Sequence, residues 1–105
     1  MIKRIWFKKD CVKWILEGKK TTTFRSRRHE GEYEIVEGSR FKAKGLGIFL
    51  KLTLLSQTNA YDIIHYLYMT EGKFDSSQEF EEWLKKNKLE LPEYGYLHKI
   101  EVIKK

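Results

Sequence analysis

The stretch Gly18-Lys19-Lys20-Thr21-Thr22-Thr23-Phe24-Arg25 gathers two ammonium groups, three hydroxyls and a guanidinium, and Ser26-Arg27-Arg28-His29 extends it. No other part of the chain concentrates so many groups able to do chemistry. Lysine and arginine beside hydroxyls suit anionic oxygens, because hydrogen bonds to a charged partner are shorter and stronger than neutral ones. Lys19, Lys20, Arg25, Arg27 and Arg28 are therefore candidate nucleic-acid contacts. Single-stranded RNA is held by such phosphate contacts together with bases stacked on aromatic rings.

The elements that position this stretch follow from periodicity. Residues 10–17 place Val12, Ile15 and Leu16 on one side and Lys13 and Glu17 on the other, which predicts a helix of about two turns. Gly18 stands where that helix ends, since glycine takes the left-handed conformation without a steric cost. The threonines and Phe24 favour a strand, here residues 21–25. In an ideal strand Thr21, Thr23 and Arg25 share one face, while Lys20 falls with Thr22 and Phe24 on the other. Lys20 reaches Thr23 only if it lies in the turn before the strand, which Gly18 permits.

Around this corner, residues 2–7 read as a first strand, 26–32 as a loop and 33–36 as a short extended piece ending at a Glu37-Gly38 turn. Residues 40–44 alternate as a half-buried strand does, and Gly45-Leu46-Gly47 is a turn or bulge. Residues 48–55 form a strand with Ile48, Leu50, Leu52 and Leu54 on one face and Phe49 and Leu55 on the other. Asn59 caps a second helix running to about Thr70, with Ile63, Ile64, Leu67 and Tyr68 as its apolar side and Gly72 as its stop. Ser76 and Glu79 have the spacing of a capping box, so a third helix starts at Ser77, buries Phe80, Trp83 and Leu84, and closes at Asn87. Leu91-Pro92 opens an extended connection to a last strand, residues 96–103. This order predicts a single domain over residues 1–105, of α+β class, built on a small closed or nearly closed sheet.

Composition narrows the partners. A chain of 105 residues with 41% hydrophobic and 14% aromatic side chains supports one core and is not expected to be disordered. The single cysteine, Cys11, excludes an internal disulfide and reads as a packing residue. His29, His65 and His98 lack metal-ligand spacing, so neither a metal nor another cofactor is expected. No apolar run is long enough for a membrane span or a signal-peptide core, and a cytoplasmic setting with no membrane contact is expected. Charge is divided unevenly: residues 1–51 hold 14 Lys+Arg against 6 Asp+Glu, and residues 52–105 hold 7 against 9. A basic half points to an anionic partner, most commonly nucleic acid, although lysines also serve solubility alone.

Two blocks carry a family resemblance. Ile15-Leu16-x-Gly18-x-Lys20-Thr21-x-Thr23-x-Arg25 resembles the signature of ASCH domains, small β-barrels of the PUA-like superfamily, and Glu71-Gly72-x-Phe74-x-Ser76-x-x-Glu79-Phe80 resembles their second conserved corner. In this order the two blocks span most of the chain. The resemblance implies a PUA-like barrel with two or three flanking helices and a role with RNA or modified nucleosides. Some members bind nucleic acid, a few are reported as ribonucleases, and small bacterial members are amidohydrolases that release acetate from acetylcytidine. The last group uses a lysine, a threonine three residues later and a distant glutamate, which fall on Lys20, Thr23 and Glu71 here. The loop Ser26-Arg27-Arg28-His29 and the extra residue Lys73 depart from that pattern.

Amide hydrolysis needs a nucleophile, a base and a proton for the departing amine. A threonine hydroxyl becomes a nucleophile when a neutral base takes its proton, and a lysine serves as that base when burial or a cationic neighbour favours its neutral form. The leading expectation is RNA or nucleoside binding in a basic cleft bounded by residues 18–28 and 71–74. The alternative is acyl removal from an acetylcytidine-like nucleoside through Lys20, Thr23 and Glu71, or a ribonuclease. A third class is a module whose basic face meets an acidic protein. The plainer readings are solvated lysines, threonines that serve only the strand, a glutamate pairing near a helix end, and Arg25 paired with Glu30 or Glu32.

Overall fold

The structure, a computed structural model, describes residues 3–37 and 44–103. The described residues form a small α+β domain with one mixed sheet and three helices. In chain order these are β1 (Lys3–Trp6), α1 (Lys9–Leu16), β2 (Thr22–Arg25), β3 (Gly31–Glu37), β4 (Lys44–Asn59), α2 (Ala60–Thr70), α3 (Ser77–Lys86) and β5 (Tyr94–Ile103). The strands lie in the order β1-β3-β4-β5-β2, with β1 parallel to β3 and the remaining pairs antiparallel. The edges are β1 and β2. No ladder joins them among the described residues, so the sheet is not closed there.

Two apolar clusters sit on the sheet. Ile5, Phe7, Tyr33, Ile35, Leu50, Leu52 and Ile100 meet Cys11, Val12 and Ile15 of α1. Phe24 and Leu97 meet Ala60 and Leu67 of α2 and Phe80 of α3. Leu97 and Ile100 are three apart in one strand and so point to opposite faces, which means that β5 is covered on both sides. Burial along β5 does not alternate strictly: Leu97, His98 and Ile100 are all buried, and β4 shifts register between Leu54 and Ser56 opposite them.

Several sequence expectations meet the structure directly. Asn59 Oδ1 accepts from the Tyr61 N–H at 2.8 Å, and Ser76 Oγ accepts from the Glu79 N–H at 3.2 Å, so both predicted caps form. The expected loop over residues 26–32 is shorter, since β3 begins at Gly31. Residues 40–43 of the alternating strand predicted over 40–44 lie outside the described residues, and Lys44 opens β4. Gly45-Leu46-Gly47 is a bulged part of that strand, with Gly47 at φ 71° and a register shift opposite Glu34 and Val36. Leu55, placed on the second face of this strand, is half exposed.

Gly72 ends α2 for a reason other than the predicted one. Its φ is not positive; the C-cap is Glu71 in the right-handed region. A Cβ at Gly72 would lie 2.6 Å from the Trp14 ring, so glycine is required by the close approach of α1. Trp14 in turn packs against Trp83 and Phe74, with centroids 5.3 and 5.4 Å away, which ties α1 to α3. Gly72→Ala should therefore cost about 1–3 kcal/mol through overpacking. The check is the denaturant midpoint, and an unchanged midpoint would mean that the Trp14 ring has room to yield.

Candidate functional site

The site begins with the turn after α1. Gly18 adopts φ 77°, and the N–H groups of Lys19 and Lys20 both donate to Trp14 O, at 2.8 and 3.1 Å. This folds the chain back so that Lys20 leaves the turn beside the end of α2. There Lys20 and Glu71 form an isolated antiparallel bridge, and the Thr21 N–H donates to Thr70 O at 2.8 Å. Residues opposite one another in such a pair bring their side chains within reach. Lys20 thus stands in the turn ahead of β2, paired with Glu71.

Lys20 Nζ donates to Glu71 Oε2 at 2.5 Å, and the two residues are only 6% and 5% exposed. Thr22 Oγ1 lies 3.3 Å from Glu71 Oε2 and 2.8 Å from Thr70 Oγ1, hydrogen-bonded to both. The Phe24 N–H donates to Glu71 Oε1 at 3.3 Å. The carboxylate therefore takes three donors, two from β2, and stands where a neighbouring strand would otherwise pair with that edge. Lys20 Nζ also lies 5.8 Å from the centre of the Phe7 ring, so its other N–H bonds share an aromatic wall.

Arg25 turns inward. Its Nε–H donates to Thr23 Oγ1 at 3.0 Å, an Nη2–H donates to Trp6 O at 2.9 Å, and the guanidinium stacks over Phe7 at 4.7 Å. It is not paired with Glu30, which instead takes Arg28. Arg25 links the end of edge strand β2 to the end of edge strand β1. Burial lowers its pKa, and the Glu71 carboxylate acts in the opposite direction. Since the guanidinium only donates, Thr23 Oγ1 must accept from it, and the threonine O–H proton remains to be given elsewhere.

Lys20, Thr23, Arg25 and Glu71 all line one cavity of about 270 Å³, walled by Trp6 and Phe7 on one side and by Phe80 and Trp83 on another. The volume falls just below the usual range of small-molecule sites. Cys11 also borders it, and burial pushes its thiol up, so it is held as a thiol and not as a nucleophilic thiolate. Lys19, Arg27 and Arg28 stay on the surface. The nearby Lys73 ammonium pulls Lys19 below its ordinary value. Among the described residues no group of three or more His, Cys, Asp and Glu is placed to hold a metal ion, and no helix is long and apolar enough to cross a membrane.

Sequence reasoning missed His98. It is fully buried, its Nε2 accepts from the His29 N–H at 2.9 Å, and its Nδ1 lies 3.4 Å from Thr23 O. It anchors the 26–30 loop to the strand that carries Thr23. Its only signal was its place within the predicted strand 96–103. The Trp6 indole was also unassigned, having been read as a strand residue.

Comparison with models of protein families, with curated proteins and with solved structures gave no match. The reading of the cavity rests on its geometry.

Two outcomes follow. The buried pair predicts that Lys20→Met or Glu71→Leu alone destabilises by about 3–5 kcal/mol, while the double variant recovers most of the loss. Chemical denaturation of all four proteins measures this, and equal losses that simply add would show that the pair is not coupled. His98 and His29 are pulled below their ordinary value of 6.5, chiefly by burial, with Arg25 acting the same way. Below about pH 6.5 the unfolded chain binds more protons, so stability is complete above that pH and falls as the pH drops through the lower folded-state values. His98→Gln should flatten this part of the profile, and an unchanged slope would exclude His98 as its source.

Proposed function

We propose that the cavity receives a nucleoside, free or as an unstacked base of an RNA strand, and hydrolyses an amide on it. The supporting observation is the convergence of Lys20, Thr23 and Glu71, drawn from segments some fifty residues apart, on one cavity in which the lysine is shielded from water. In this reading Thr23 Oγ attacks the acyl carbon, and Lys20, having lost its proton, takes the hydroxyl proton. The C–N bond breaks as that proton passes to the leaving amine, and water then releases the acyl group from Thr23. Glu71 orients Lys20 and offers the route for the lysine's own proton. Arg25 holds the threonine oxygen, and an N–H of Lys20 or Arg25 meets the developing oxyanion. The PUA-like reading of the fold belongs to the same proposal: the open sheet is taken as a barrel interrupted between β1 and β2, where Arg25 bridges Thr23 and the Trp6 carbonyl.

Binding without hydrolysis is the second reading, favoured by the exposed Lys19, Arg27 and Arg28 beside the corner. In that case Lys20 and Arg25 present donors to a base, and the surface cations take phosphates.

The hydrolytic reading predicts acetate release from N4-acetylcytidine by the parent protein. Thr23→Ser should retain part of it and Thr23→Val none. Lys20→Arg should lose it as well, because arginine stays charged. Release is followed by the ultraviolet change on deacetylation, with a single-stranded RNA oligonucleotide titrated in parallel. Binding of the oligonucleotide by parent and Thr23→Val alike, with no acetate from either, would leave a binding site alone.

A further inference from the structure

The three tryptophans are not equivalent. Trp14 and Trp83 pack on one another and on Phe74, with all three centroid separations between 5.3 and 5.5 Å. Trp6 has no ring partner among the described residues and is 45% exposed, yet it lines the cavity. Its neighbours Ile5 and Phe7 enter the core beneath α1, and strand alternation sends Trp6 the other way. The Trp6 backbone is held in place, since its carbonyl takes the Arg25 Nη2–H at 2.9 Å. Trp6 and Arg25 both border the one cavity. Of the five N–H donors of an arginine, Thr23 and Trp6 engage two among the described residues. The other three remain on a residue that borders the cavity.

We infer that Trp6 and Arg25 form a clamp that selects a planar heteroaromatic ring: the ring stacks on the exposed indole, and an acceptor edge of the ring meets the guanidinium. This rests on the reading of the cavity as a nucleoside site and names what that site recognises, the base and not the sugar. The chemistry of the wall supports it. A flat π-face attracts any base by stacking, and a planar fork of donors matches adjacent ring acceptors such as a carbonyl oxygen and a ring nitrogen. Glu90 also borders the cavity and repels a phosphate carried by the bound nucleoside, whereas Lys8 and Ser26 on the same border can receive one.

The test titrates parent, Trp6→Leu and Trp6→Phe with cytidine, inosine and ribose, following heat of binding and tryptophan emission, after thermal melts establish that each protein is folded. Cytidine or inosine should quench emission in the parent, and ribose should not. Trp6→Leu should bind the nucleoside roughly 5- to 150-fold more weakly, the span that base stacking on an aromatic ring commands. Trp6→Phe should keep most of the affinity. Parent-like affinity in Trp6→Leu overturns the clamp while leaving the nucleoside site standing. Absence of heat from the parent with both nucleosides overturns the clamp and the nucleoside reading together.

Discussion

The buried Lys20–Glu71 pair is the interaction on which the site's geometry depends. Two charges removed from water each carry a desolvation penalty of several kcal/mol, recovered only when the geometry is close and other donors satisfy the remaining lone pairs. Here both conditions hold: the contact is 2.5 Å, and Thr22 and the Phe24 N–H complete the carboxylate. The pair does more than neutralise. It joins the turn after α1 to the end of α2 and covers the free edge of β2, so three elements owe their mutual placement to it. Replacement by apolar residues could leave the fold intact, but the lysine and the carboxylate would then be gone from the cavity.

Arg25 is the second internal cation, and it acts through reach. Strands β1 and β2 are opposite edges of the sheet, yet one side chain bonds the hydroxyl of Thr23 and the carbonyl of Trp6. Its stacking on Phe7 supplies an apolar floor for a charge partly withdrawn from water. The cavity thus has cations within its walls and aromatic rings around them, an arrangement that suits a flat ligand carrying acceptor atoms better than a free polyanion.

The basic half of the sequence accordingly divides into two populations. Lys20 and Arg25 are internal and engaged in specific hydrogen bonds, and they contribute little to the field outside. Lys19, Arg27 and Arg28 are external, and their charges are screened by salt. Net charge alone merges these two roles. Orientation of a ligand belongs to the internal cations, whereas long-range attraction of an anion belongs to the external ones.

The sequence by itself determined the elements whose cause is local. The helix periodicity of residues 10–17, the Asn59 and Ser76 caps, the left-handed Gly18 and the strand preference of the threonines all appear where residues a few positions apart dictate them. The α+β class followed from their order. What only the tertiary structure decided are contacts between distant segments: the 2.5 Å pairing of Lys20 with Glu71, the turn of Arg25 toward Trp6, and the burial of His98 against the His29 N–H. Gly72 illustrates the division well. Its place at the end of α2 was readable, but its reason is the Trp14 ring, brought there from a helix more than fifty residues away. Local propensity acts over one or two turns of chain, and long-range packing selects which polar groups lose water. That selection alone decides whether a lysine in a basic stretch faces solvent or stands inside a cavity beside a carboxylate.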